Sequence, residues 1–171
     1  MCNRFCAFLV LVFAAPASAQ VTETQARTAI SVEQKQIKTD TLFMPYALGA
    51  IQSNLANFED WNDFYESIPA GVMAPADNEI VYGALFASNY IRAMATNYLF
   101  QANGSIVASQ NADTQATGFA NGGDWFDALR WANSALFGAQ SAQLSIQSAV
   151  QTNADAVTQL NIAIAVLEQY R

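Results

Sequence analysis

One long proline-free segment constrains this chain more than any other feature. From Trp125 to Tyr170 there is no proline, and Gly138 is the only glycine. Alternating steps of three and four residues along it meet Leu129, Ala132, Leu136, Ala139, Gln143, Ile146, Val150, Asn153, Val157, Leu160, Ile164 and Leu167. Ten of these twelve are apolar. A seam held through more than five heptads predicts a long helix with coiled-coil packing, because only a 3.5-residue period keeps one stripe facing a partner over that distance. Unbroken, such a helix is about 70 Å long at 1.5 Å per residue. A compact domain of this size cannot contain it, so it must project or kink. Asp124 is its natural N-cap.

The same segment avoids charge. Residues 131–154 contain no Asp, Glu, Lys or Arg, whereas a solvated helix usually carries both signs on its outer face. Off the seam stand Ser141, Ser145 and Ser148 among glutamines, alanines and threonine. Small uncharged side chains permit close approach without stripping water from a charge. The expectation is a helix covered by protein on more than one side, with Gln143, Ile146, Val150, Asn153, Val157, Leu160, Ser141, Ser145 and Ser148 as interface residues. The amides Gln143 and Asn153 either are buried and set register, at a cost in stability, or face solvent where the seam drifts.

Ahead of this helix the chain punctuates itself repeatedly. Thr22 and Gln25 have capping-box spacing, predicting a first helix over residues 22–40. Pro45 fits the first position of a second, with Leu48, Ile51 and Leu55 on one face. Pro69, Gly71 and Pro75 mark a loop. Asp77 can cap a third and most apolar helix, carrying Ile80, Leu85, Ile91, Met94 and Leu99 inward. Residues 102–123 hold four glycines and many Asn, Ser and Thr, which reads as a long loop. The fold class expected is all-α: an elongated helical bundle with one long C-terminal helix and a small loop-rich appendage.

The first nineteen residues read as a secretory signal peptide. Arg4 provides the positive start, "FCAFLVLVFAA" the apolar stretch, and Ala17-Ser18-Ala19 the small-residue cleavage pattern before Gln20. Both cysteines, Cys2 and Cys6, fall inside it, so residues 20–171 form a single domain held by packing alone, periplasmic or extracellular. Six basic against fourteen acidic residues leave that part with a charge of 6 − 14 = −8. Such a balance repels phosphate backbones and anionic lipid, so neither nucleic acid nor a stable membrane anchor after cleavage is expected. Twenty charges are also few for a dispersed monomer, favouring protein partners or self-assembly.

No catalytic constellation emerges. Histidine is absent and cysteine is confined to the leader, which removes His- and Cys-dependent nucleophile systems and metal sites. Glu59, Asp63 and Glu66 share a helical face beside Trp61, Phe64 and Tyr65. With no identifiable acid–base partner, they read as a solvated acidic face opposite an aromatic anchor rather than a calcium or glycan site. Trp125 and Trp131 read as core residues or as an aromatic patch for a partner. No enzyme, no cofactor and no metal are expected.

The leader, the Gln-containing first helix "ETQARTAISVEQKQIKTD", the central "DWNDFYESIPAGV" and the final "AVQTNADAVTQLNIAIAVLEQY" together form a layout that resembles the minor pilin, or pilus-tip, proteins of bacterial type IV secretion and conjugation systems. The resemblance implies a non-enzymatic helical subunit assembled at a pilus or its tip. A different class of reading is an extracytoplasmic binding module or chaperone that uses the 102–123 segment and the aromatic patch.

Overall fold

The computed structural model describes residues 20–171, and the expected signal peptide, with Cys2 and Cys6, lies outside them. Three helices account for almost all of the described chain: α1 (Glu23–Ser67), α2 (Pro75–Asn121) and α3 (Trp125–Leu167), followed by a single 3-10 turn at Glu168–Tyr170. Their lengths of 45, 47 and 43 residues correspond to rods of about 65–70 Å. The third helix therefore neither projects nor needs a kink to fit. Its partners are equally long, and the domain is a rod rather than a compact body.

The local signals explain the ends. Thr22 and Gln25 form the capping box, with the Gln25 amide N–H donating to Thr22 Oγ1 at 3.2 Å and the Thr22 amide N–H donating to Gln25 Oε1 at 2.9 Å. Asp124 caps α3 by accepting from the Asp127 amide at 3.1 Å. Between α2 and α3 the chain reverses at Gly123, whose φ of +79° suits glycine. There the Asp124 amide donates to the Phe119 carbonyl at 3.0 Å. Pro75 opens α2 at its first turn, so Asp77 lies within the helix rather than capping it, and it accepts from the Tyr170 hydroxyl at 2.5 Å.

Each helix contributes an inward seam with steps of three and four. On α3 the buried positions are Ala128, Ala132, Ala135, Ala139, Ala142, Ile146, Ala149, Asn153, Ala156, Leu160, Ala163 and Leu167. Their spacing is the expected heptad, but the phase differs. Ala132, Ala139, Ile146, Asn153, Leu160 and Leu167 belong to both seams, whereas the buried companions are Ala128, Ala135, Ala142, Ala149, Ala156 and Ala163. The bulkier residues one position later lie on the flank: Leu129, Leu136, Val157 and Ile164 are half-buried, and Gln143 and Val150 are exposed. Alanine wins the seam because it lets α2 and α3 approach closely, and those two helices share the largest interface.

On α2 the facing seam is also small: Val81, Ser88, Ala95, Ala102, Ser109 and Ala116 recur every seven residues. A side-chain carbon at Gly138 would lie 2.5 Å from Ser109 Oγ, which measures how tightly the two helices meet. In α1 the seam runs Ala26, Glu33, Ile37, Asp40, Ala47, Ile51 and Asn54, then on through half-buried Phe58, Trp61 and Tyr65. Ala26 packs with Ala120 and Ala128 at one end of the rod. Phe58, Trp61 and Tyr65 pack with Val81, Leu160 and Leu167 at the other. The topology is therefore up-down-up.

Two expected breaks are absent. Residues 102–121 are helical, not a loop or an appendage. Their glycines 104 and 118 point outward into open space, while Ala102, Ile106, Ser109, Ala112, Ala116 and Ala120 maintain the seam. Burial of that stripe outweighs poor helix propensity of about 1 kcal/mol per glycine. Likewise α1 continues through Pro45, which is exposed, because the seam on either side of it remains paired. Among the apolar residues expected inside, Leu48, Ile80 and Met94 are exposed, whereas Ile51, Leu85 and Leu99 are buried.

Candidate interaction surface

Because α3 turns its alanine seam inward, the opposite side of the charge-free segment is left to solvent. Its exposed residues include Asn133, Ser134, Phe137, Gln140, Ser141, Gln143, Leu144, Gln147, Val150 and Gln151. Most are amides and small hydroxyls. Three are large and apolar: Phe137 is 75 % exposed, Leu144 65 % and Val150 51 %. Phe137 and Leu144 are one heptad apart and so stand in line along the outermost edge of the helix. A solvated rod of this composition gains nothing from holding these side chains in water, since each fully covered one is worth about 1.5–3 kcal/mol.

The interface residues expected from the sequence divide into two groups. Ile146, Asn153 and Leu160 are buried inside the bundle, where Asn153 Oδ1 accepts from Asn54 Nδ2 at 3.0 Å. Gln143, Val150 and Ser141 face outward, while Ser145, Ser148 and Val157 are half-covered along the flanks. Of the two amides, Asn153 is the buried one. Gln143 is on the outer face, for it belongs to the flanking phase of the heptad.

Trp125 and Trp131 are both half-buried. Trp125 packs with Ala26, Ala120 and Ala128 under the Arg27 guanidinium, 5.3 Å from its ring centroid. Trp131 leans on Ile37, Ala112, Ala135 and Ala139, with Arg130 5.7 Å above its ring. They lock the end of the bundle and do not form one continuous patch. Glu59, Asp63 and Glu66 are exposed, while Trp61 and Phe64 meet edge to face at 5.9 Å in the core cluster. Among the described residues no group of three or more carboxylates is placed to hold a metal ion, and no helix is long and apolar enough to cross a membrane.

The structure also reveals surface features that periodicity did not single out. Tyr82, Phe86 and Tyr90 are exposed on α2, and the first two rings stack at 6.5 Å. Their spacing of four was visible in the sequence, but the inward stripe expected on this helix ran through Ile80, Leu85, Ile91, Met94 and Leu99 and left these three without a role. Phe137 and Leu144 were legible too, as the two large apolar residues between positions 132 and 154 that lie off both phases of the α3 heptad. Open depressions occur at the two ends of the rod, one beside Tyr65, Pro69, Met73 and Asn78 and the other around residues 122–126.

Comparison with protein-family models, with curated proteins and with solved structures yields no match.

Proposed function

We propose that this chain is an exported, non-enzymatic structural subunit that assembles with protein through the outer face of α3. The observation that carries the reading is the combination on that face of a charge-free stretch, residues 131–154, with Phe137, Leu144 and Val150 held in solvent. Exposed apolar side chains in a row, flanked by groups that form hydrogen bonds and cost less to desolvate than charges, suit a protein surface as partner. The acidic balance of the whole chain keeps nucleic acid and anionic lipid away. A place as a minor pilin-type component of a type IV secretion or conjugation apparatus is consistent with a stiff rod about 70 Å long that follows the signal peptide expected over residues 1–19.

Light scattering on residues 20–171 over a concentration series tests the reading, alongside the same chain with Phe137→Glu and Leu144→Glu. Both positions are exposed, so the substitutions leave the fold intact. Self-association in the native chain that disappears in the variant supports assembly through this face. Monomers in both cases, with no partner retained on a native column that the variant fails to retain, overturn it.

The second reading, a binding module, no longer has the 102–123 loop to work with, because residues 102–121 are helix and only Gly122 and Gly123 turn. It is left with the Tyr82, Phe86 and Tyr90 row on α2, an aromatic ladder suited to a partner helix or an extended peptide. Alanine at Phe86 and Tyr90 together separates this reading from assembly through α3.

A further inference from the structure

The N-terminal half of α1 buries two carboxyl groups without a cation. Glu33 is 0 % exposed and neither of its carboxyl oxygens has a well-formed hydrogen bond. One heptad later Asp40 is 2 % exposed; its Oδ1 accepts from Gln36 Nε2 at 2.9 Å, and its Oδ2 has no partner. Both occupy the seam position that is filled by Ala26 and Ala47 in neighbouring heptads.

The surroundings offer no compensating charge. From α2 the group beside Glu33 is another acid, Asp113, which accepts from Gln34 at 2.7 Å and Thr117 at 3.4 Å. Between Arg92 and Asp113 α2 has no charged residue, and α3 has none from Trp131 to Ala154. The basic residue of α3 nearest this level, Arg130, is exposed and paired with Asp127 at 3.1 Å. On α1 itself Lys35 and Lys38 are exposed, and Arg27 is engaged by Glu23 at 2.7 Å. An unpaired carboxylate in such a core costs several kcal/mol, far more than a neutral carboxyl group. The packing therefore requires protons. Burial first, and then the charge on Asp113, push the Glu33 carboxyl up to about 8; burial raises Asp40 as well, against a smaller lowering by Gln36.

The remainder of the rod lacks this dependence. The α2–α3 contact is mostly alanine and serine with larger aliphatic residues such as Leu99, Ile146 and Leu160 at intervals, and the buried seam of α3 between residues 128 and 167 holds no ionisable group. Beyond Asp40, α1 is held by Ala47, Ile51, the Asn54–Asn153 bond and the aromatic cluster. Pro45, which removes one backbone hydrogen bond from the helix, marks the junction of the two halves.

We propose that the segment from Ala26 to Asp40 is a proton-held arm: it closes on the α2–α3 pair in acid and releases, about the Pro45 junction, as the medium turns neutral to alkaline. Release uncovers the groove lined by Ala112, Ala135, Ala139 and Trp131 that Ile37 fills when the arm is closed. The proposal is independent of assembly through the outer face of α3, since the groove and that face are on opposite sides of the helix.

Hydrogen exchange of the full chain at about pH 5 and about pH 8.5, expressed as protection factors corrected for the intrinsic rate, tests it. Protection over residues 26–41 should fall by about 100-fold or more at the higher pH and end near that of an unfolded segment, with residues 47–65 and the seams of α2 and α3 remaining strongly protected. The chain carrying Glu33→Gln and Asp40→Asn should retain its acid-level protection at both pH values. Equal protection of residues 26–41 at both pH values in the native chain overturns the proposal, as does loss of both halves of α1 together. If the double variant folds and shows the native response, the carboxyls are not the cause and the proposal is equally lost.

Discussion

Asn54 and Asn153, 99 positions apart in the chain, meet in the core, where Asn54 Nδ2 donates to Asn153 Oδ1 at 3.0 Å. The bond fixes the axial position of α1 against α3, since a shift of one heptad in either helix would face an amide with an apolar residue or an alanine. Asn153→Leu alone should destabilise the fold by about 1–3 kcal/mol, because it strands the Asn54 amide. Replacing both residues with apolar ones should recover most of that loss and relax the register. Urea midpoints for the two single variants and the double variant form the cycle that measures it.

Gly138→Ala should be unfavourable even though alanine is the better helix former by about 1 kcal/mol. The new methyl would force aside Ser109 Oγ, 2.5 Å away, and break its bond to the Ser105 carbonyl. A net loss of about 1 kcal/mol is expected, read as a lower urea midpoint. Adding Ser109→Ala removes the obstructing atom, and the double variant should match or exceed the native chain.

Ala142→Leu probes the same contact more severely. Ala142 is fully buried in the α3 seam, and the three extra carbons have no space unless α2 and α3 separate. Overpacking of this kind costs about 1–3 kcal/mol. The transition measured by circular dichroism should move to lower temperature. Leucine at Gln143, one residue later and exposed, should leave it unchanged.

Stability should decline as pH rises. Glu33 is raised from 4.5 in the unfolded chain to about 8 when folded, so the folded state holds the proton more tightly. Its contribution is complete below about pH 4.5, diminishes between there and about pH 8, and is constant above. Denaturant midpoints should fall across that window. Glu33→Gln should flatten the slope and exceed the native chain at about pH 8 by roughly 1–3 kcal/mol.

Much of the architecture was legible from spacing alone, and the misreadings have a common cause. The heptad of α3 was visible, but large residues were favoured over small ones, which selected Leu129, Leu136, Val150, Val157 and Ile164 in place of Ala128, Ala135, Ala149, Ala156 and Ala163. Where two helices lie unusually close, the smallest residues mark the contact and the large ones wedge its edges. Composition also misled over residues 102–121, since glycine, asparagine and threonine on the outer side conceal an unbroken seam of Ala102, Ile106, Ser109 and Ala112. Glu33 and Asp40 were legible only once α1 was recognised as continuous through Pro45. Their separation of seven then aligns with Ala26, Ala47 and Asn54. Phe137 and Leu144 escaped notice because an outward apolar residue has no partner within one chain to reveal it.

The three seams advance in step from one end of the rod to the other, and this restricts how such a molecule can change size. An insertion of one or two residues in a single helix would rotate everything beyond it away from its neighbours. A full seven in one helix would restore the facing but slide every later layer by about 10 Å. Only matched additions at the same level in all three helices would preserve the layers. The length of this rod is therefore a shared and quantised property: it can serve as a ruler whose graduations are heptads, and it cannot drift by small steps.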